Sequence, residues 1–119
     1  MDPKEKKKYV KTWLQKEKKK RQEINQKREK AFKKARKISK MLKEDFKINS
    51  VILFGSLAEN KFWQHSDIDL AVKGLAAENY LTVFSKASDI ASPFKVDLVI
   101  IEDAPESLLK KINNKGMKL

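Results

Sequence analysis

Residues 3–46 contain no glycine, and Pro3 is their only proline. Lys, Glu, Gln and Arg dominate the stretch, and all four are good helix formers. A chain that opens this way is committed to a long helix, with Pro3 suited to its first turn and Asp2 to its N-cap. An apolar stripe runs Val10, Trp13, Leu14, then thinly to Ile24. It thickens at Ala31, Phe32, Ala35, Ile38, Met41, Leu42 and Phe46. Steps of three and four place these residues on one helical face. From Ile24 onward the stripe is dense enough to pack on a core. Between Gln15 and Glu23 no aliphatic residue occurs. The expected organisation is therefore a basic helical arm, residues 1–23, followed by one domain, residues 24–119. Sustained heptads, which a coiled coil requires, are missing.

Charge divides the chain in the same way. The 119 residues carry a net charge of +12. Residues 1–47 hold 20 Lys or Arg against 7 Asp or Glu, whereas residues 48–119 hold 8 against 9. The basic character belongs to the N-terminal segment, and the remainder is close to neutral. Such asymmetry suits an anionic partner, nucleic acid or an acidic protein, and equally suits a solvated helix face. Both readings of the arm stay open.

Several classes of chemistry are excluded. There is no cysteine, which rules out disulfides, zinc–thiolate sites and a cysteine nucleophile. His65 is the only histidine, which argues against a multi-histidine metal site. The charged N-terminus does not read as a signal peptide, and no apolar run approaches the ~20 residues needed to cross a bilayer. A cytoplasmic location without membrane attachment is expected. A length of 119 residues fits one domain and leaves little room for a second, substrate-binding one.

The second half alternates strands and helices. Val51-Ile52-Leu53-Phe54 reads as a buried strand ended by Gly55-Ser56, with a short helical turn over 57–60. Lys61 to Ser66 is a polar loop. Ile68, Leu70 and Val72 alternate with Asp67, Asp69 and Ala71, the period of a strand. Ala77 to Ile90 reads as a helix with Tyr80, Leu81, Phe84, Ala87 and Ile90 inward. Residues 96–101 form a third strand, and Glu106 to Asn113 a last helix that Pro105 opens and Gly116 ends. The fold class is α/β, a small mixed sheet packed by helices.

Asp67 and Asp69, two apart on a strand, point to the same face, while Ile68 and Leu70 point into the core. Carboxylates held side by side repel, and a hard divalent cation is the natural compensation. Asp97 alternates with Val96 and Leu98 in the same way. If its strand lies beside that of Asp69, three carboxylates share one patch. Such a set suits two Mg²⁺ roughly 3.5–4 Å apart, the arrangement for phosphoryl and nucleotidyl transfer. Gly55, directly after a buried strand, lets backbone approach a ligand, and the Ser56 hydroxyl suits a phosphate oxygen.

Taken singly, Gly-Ser and Asp-x-Asp are weak signals. Together they form the string VILFGSLAENKFWQHSDIDLAV followed by FKVDLVIIEDAPESLLKKI. This resembles the minimal nucleotidyltransferases (MNT) of the DNA polymerase β superfamily, which include the MNT antitoxins. The resemblance covers about residues 24–119. It implies that Gly55 and Ser56 hold the triphosphate of ATP, and that Asp67 and Asp69 ligate both metals. It further implies that Asp97 completes one metal site and helps activate the attacking hydroxyl. By the same resemblance the activity is transfer of AMP from ATP to a hydroxyl of a HEPN-type helical toxin, with this chain as its antitoxin in a hetero-oligomer. Two positions depart from the pattern. Many relatives carry Arg directly after Gly-Ser and Gly three residues later, where this chain has Leu57 and Asn60.

Competing motifs fare worse. A calcium loop would need a ligand and a glycine where Ala71 and Val72 stand, and no P-loop or GxGxxG occurs. His65 reads as a loop histidine, Phe62 and Trp63 as covers for the sheet edge, and Trp13 as a packing anchor. The rival function is a non-catalytic antitoxin or interaction module that neutralises a partner by binding, or docks on RNA through its basic arm.

Overall fold

A computed structural model describes residues 2–63 and 66–119. Helix α1 runs unbroken over Pro3–Asp45, 43 residues. Asp2 caps it, its carboxylate accepting the Lys4 amide at 3.2 Å. Strand β1 (Ser50–Phe54) leads into the single-turn helix α2 (Gly55–Ala58). Strand β2 spans Ile68–Lys73, and a 3₁₀ turn at Ala77–Asn79 opens helix α3, Tyr80–Ala91. Strand β3 (Val96–Ile100), helix α4 (Glu106–Lys115) and the two-residue strand β4 (Met117–Lys118) complete the fold.

The four strands form one mixed sheet in the order β3-β2-β1-β4. β2 pairs parallel with β3 and antiparallel with β1, which also pairs antiparallel with β4. Register sorts the side chains by face. Val51, Leu53, Ile68, Leu70, Val72, Val96 and Leu98 line one face, and all are buried. Against that face pack Ala31, Ala35, Ile38 and Leu42 of α1 and Val83, Ala87 and Ala91 of α3. Ile38 and Leu42 are fully buried, each contributing about 1.5–3 kcal/mol of hydrophobic stabilisation.

The inward face of α3 differs from the sequence expectation. Leu81 is 79% exposed and Phe84 37%, while Val83 is fully buried beside the expected Ala87. The reason is helix–helix contact. α1 and α3 meet through alanines on both sides, which permit a closer approach than large side chains would. Trp13 likewise does not anchor packing within this chain, being 61% exposed.

The exit from α1 fixes its position over the sheet. Lys47 adopts a left-handed conformation, φ 53°, so the Ile48 amide can donate to the Leu42 carbonyl at 3.2 Å. Leu42 and Ile48 are both buried, an apolar contact of the kind that accompanies left-handed helix ends.

Candidate active site

The carboxylates gather where β1 ends and β2 and β3 begin. Asp69 is registered directly against Asp97 across the parallel β2–β3 pair, and against Phe54 across β1–β2. Adjacent strands lie about 4.8 Å apart, so the two carboxylates stand on neighbouring strands of one face. That face is opposite the α1–α3 core, because Asp69 and Asp97 alternate with the buried Ile68, Leu70, Val96 and Leu98. Asp67 stands one residue before β2 rather than within it. Its position is set by Ser66, a buried serine whose Oγ accepts the Trp63 amide at 3.1 Å while its own amide donates to the Trp63 carbonyl at 3.1 Å. The Ile68 amide then donates to the Lys95 carbonyl at 2.9 Å and starts the parallel pairing.

Gly55 closes the site from the other side. Its φ is +74°, and a Cβ placed there would collide with the Asp69 carboxylate, meeting its Cγ at 3.1 Å. Glycine is thus required twice at this position, by backbone conformation and by the side chain opposite. Ser56 follows within α2 and is half-buried.

The electrostatics bear the mark of crowding. Burial pushes the Asp69 carboxyl up to about 6, and the Asp97 and Asp67 charges push it the same way. An acidic site strained by its own charge has the donor chemistry for a hard cation, and all three donors are carboxylate oxygens. Among the described residues no group of three carboxylate or imidazole side chains is already converged on a metal position. The chemistry of the donor set fits Mg²⁺.

The structure therefore brings Gly55, Asp69 and Asp97 together, with Asp67 and Ser56 flanking them. His65 lies outside the described residues. Phe62 is buried and meets the Phe94 ring edge-on at 6.0 Å, whereas Trp63 is 56% exposed. The role of Ser66 was missed. Its only sequence signal was a serine three residues after the amide it binds, a local hydrogen-bonding pattern common to many loops. The two departures after Gly-Ser acquire physical explanations. Leu57 is fully buried in the core. Asn60 has φ +60°, and asparagine is among the few residues that replace glycine there at low cost.

Comparison with known proteins places this geometry. The family model described as polymerase beta, nucleotidyltransferase matches residues 36–119. A Methanocaldococcus jannaschii protein named "putative protein adenylyltransferase" is 39% identical over 79 residues, covering 64% of this chain and 80% of the relative. A second so named, from the same organism, is 35% identical over 85 residues with the same coverage. Among solved structures, the chain is similar to a toxin–antitoxin with AMP-PNP, with 28% identity and a TM-score of 0.61 over 71% of this chain and 70% of that one. It is also similar to a chain of a tri-AMPylated Shewanella oneidensis HEPN toxin in complex with MNT antitoxin, with 27% identity and a TM-score of 0.55 over 71% and 67%. The matched span contains the Gly-Ser turn and all three aspartates, and the chain belongs to the polymerase β nucleotidyltransferase family.

Proposed function

We propose that this protein transfers AMP from ATP to a hydroxyl on a HEPN-type toxin, and that it acts as the toxin's antitoxin. The observation that carries the reading is the Asp69–Asp97 register across β2–β3, with the Asp69 carboxylate pressed against Gly55. The names of the relatives and the toxin–antitoxin neighbours support the choice of nucleotide and acceptor.

In this reading Gly55 and Ser56 receive the triphosphate, glycine by exposing backbone and serine by donating its hydroxyl to a phosphate oxygen. Asp67, Asp69 and Asp97 would hold Mg²⁺, a set of carboxylates suited to two ions. When bound, Mg²⁺ supplies Lewis-acid stabilisation of the phosphate oxygens and relieves the repulsion among the aspartates. Asp97 orients the acceptor hydroxyl and takes its proton. The acceptor oxygen bonds to the α-phosphorus, the bridging bond to the β-phosphate breaks, and pyrophosphate leaves. Positioning and electrostatics do most of the work in such a transfer. The added phosphate ester is bulky and anionic, and would block the toxin site beside which it is attached. The cytoplasm, which supplies ATP and Mg²⁺, is the setting we assign.

Mixing the protein with its toxin, ATP and Mg²⁺ tests the reading by intact mass spectrometry. The toxin should gain one AMP mass or a multiple of it, and Asp97→Ala should stop the gain. Neutralisation of the toxin with no mass change would instead make this chain a non-catalytic antitoxin.

A further inference from the structure

The arm of α1 is the part of the molecule that the nucleotidyltransferase site does not use. The family match begins at residue 36. Every residue from Asp2 to Glu23 is exposed apart from the half-buried Glu17. The molecule measures 67 Å in length against 29 and 18 Å across, and 43 helical residues account for about 65 Å at ~1.5 Å each. Residues 3–24 thus project by roughly 33 Å.

The projecting half is not uniformly polar. Tyr9, Val10, Trp13 and Leu14 are 66, 52, 61 and 52% exposed. Their spacing of one and four residues places them side by side on the helix. Trp13 lies eighteen residues before Ala31, and Ile24 eighteen before Leu42. Five turns at about 3.6 residues bring each pair to the same side of the helix. Ala31 and Leu42 are core residues, so the exposed stripe prolongs the face on which α1 packs against its own domain.

The direction of projection matters as well. The Ile48 amide bonds to Leu42 near the C-terminal end of α1, and β1 then leads to Gly55. Lys34 donates to the carbonyl of Ile90 at the end of α3, shortly before β3 begins beside Asp97. Both contacts tie the domain to the C-terminal half of α1, and residues 2–16 of the arm are exposed throughout.

We propose that residues 3–24 form a docking arm that seats an acidic amphipathic helix of the protein acceptor against Tyr9, Val10, Trp13 and Leu14. The proposal rests on a protein acceptor, as in the preceding section. Charge complementarity selects the partner. Residues 3–24 carry ten Lys or Arg against three Glu, so an occupant with flanking carboxylates is attracted and a second copy of the arm is repelled. The apolar stripe selects a helical protein face over nucleic acid, since Val10 and Leu14 have no partner on a phosphate backbone. A flat bilayer is disfavoured by shape, because the domain stands on the same side of α1 as the stripe and would meet the surface first.

The test uses the full chain, two arm variants and the HEPN-type acceptor of the proposed reaction. Trp13→Gln with Leu14→Gln removes the stripe, and Lys7→Glu with Lys11→Glu alters the flanking charge; all four replacements are good helix formers. Calorimetry without nucleotide should show each variant binding the acceptor at least about tenfold more weakly. Wild-type affinity should fall with added salt, and the thermal shift produced by ATP with Mg²⁺ should be unchanged in the variants. Acceptor binding equal to wild type in both variants overturns the proposal. So does tighter binding of a single-stranded RNA homopolymer than of the acceptor, lost in the variants, or a wild-type dimer in sedimentation that the variants dissolve. Weakened docking without any AMP transfer would leave the arm assignment standing and remove the proposed reaction. Undiminished docking with AMP transfer would do the reverse.

Discussion

Replacing Asp69 with Asn in metal-free protein tests the electrostatics of the site through stability alone. The Asp69 carboxyl is raised from the ordinary 3.8 to about 6, by burial first and then by Asp97 and Asp67. The folded chain therefore holds this proton more tightly than the unfolded chain. The contribution of Asp69 to stability is best below about pH 4, falls as pH rises to about 6, and stays low above that, opposite in sign to an ion-paired carboxylate. A rise of about two pH units corresponds to about 3 kcal/mol at 1.36 kcal/mol per unit. Water screens the repulsion, because Asp67 and Asp97 are exposed, and about 1–2 kcal/mol remains. Asparagine keeps the shape and drops the charge. Urea unfolding in EDTA near pH 7.5 should find Asp69→Asn more stable than wild type by about 1–2 kcal/mol, with the difference closing near pH 4. A variant no more stable than wild type near neutral pH would refute the picture of an Asp69 carboxylate penalised by burial and by its neighbours Asp97 and Asp67.

Gly55→Ala should destabilise the fold by about 1–3 kcal/mol from the left-handed backbone alone; calorimetric melting would show it, and nucleotide binding should be lost because the new methyl displaces the Asp69 carboxylate. Lys47→Gly should raise stability by about 1 kcal/mol, since glycine relieves the left-handed conformation that ends α1; unchanged denaturant midpoints would count against that. ATP with Mg²⁺ should raise the melting temperature of wild type by mass action, and Asp67→Asn with Asp69→Asn should abolish the shift in a protein that still melts cooperatively.

Much of this was legible in the sequence because the relevant signals are local. Forty-four residues without glycine leave α1 no alternative. The alternation of aspartates with Ile68, Leu70, Val96 and Leu98 announces both strands and the face of the site. The pairing of β2 with β3, on which convergence of the carboxylates depended, is a tertiary fact that alternation cannot supply. On the inward face of α3 the expected Ala87 is buried, but side-chain size suggested Leu81 and Phe84 where close approach to α1 favoured Val83 and Ala91. Strand β4 gave no signal at all. Met117 and Lys118 are both exposed, and they pair only because Gly116 lets the chain pass close over Ile52 at the free edge of β1.

The central claim is that the bond broken lies between the α- and β-phosphates of ATP and that the carboxylate edge directs the transfer to a protein. Two parallel incubations of the protein, the proposed HEPN-type toxin and Mg²⁺ decide it, one with ATP radiolabelled at the α-phosphate and one with ATP radiolabelled at the γ-phosphate. Label from the α-position should appear on the toxin and label from the γ-position should appear only in pyrophosphate, with both signals absent in Asp97→Ala. Toxin labelled from the γ-position, or left unlabelled by both while still neutralised, would contradict the account.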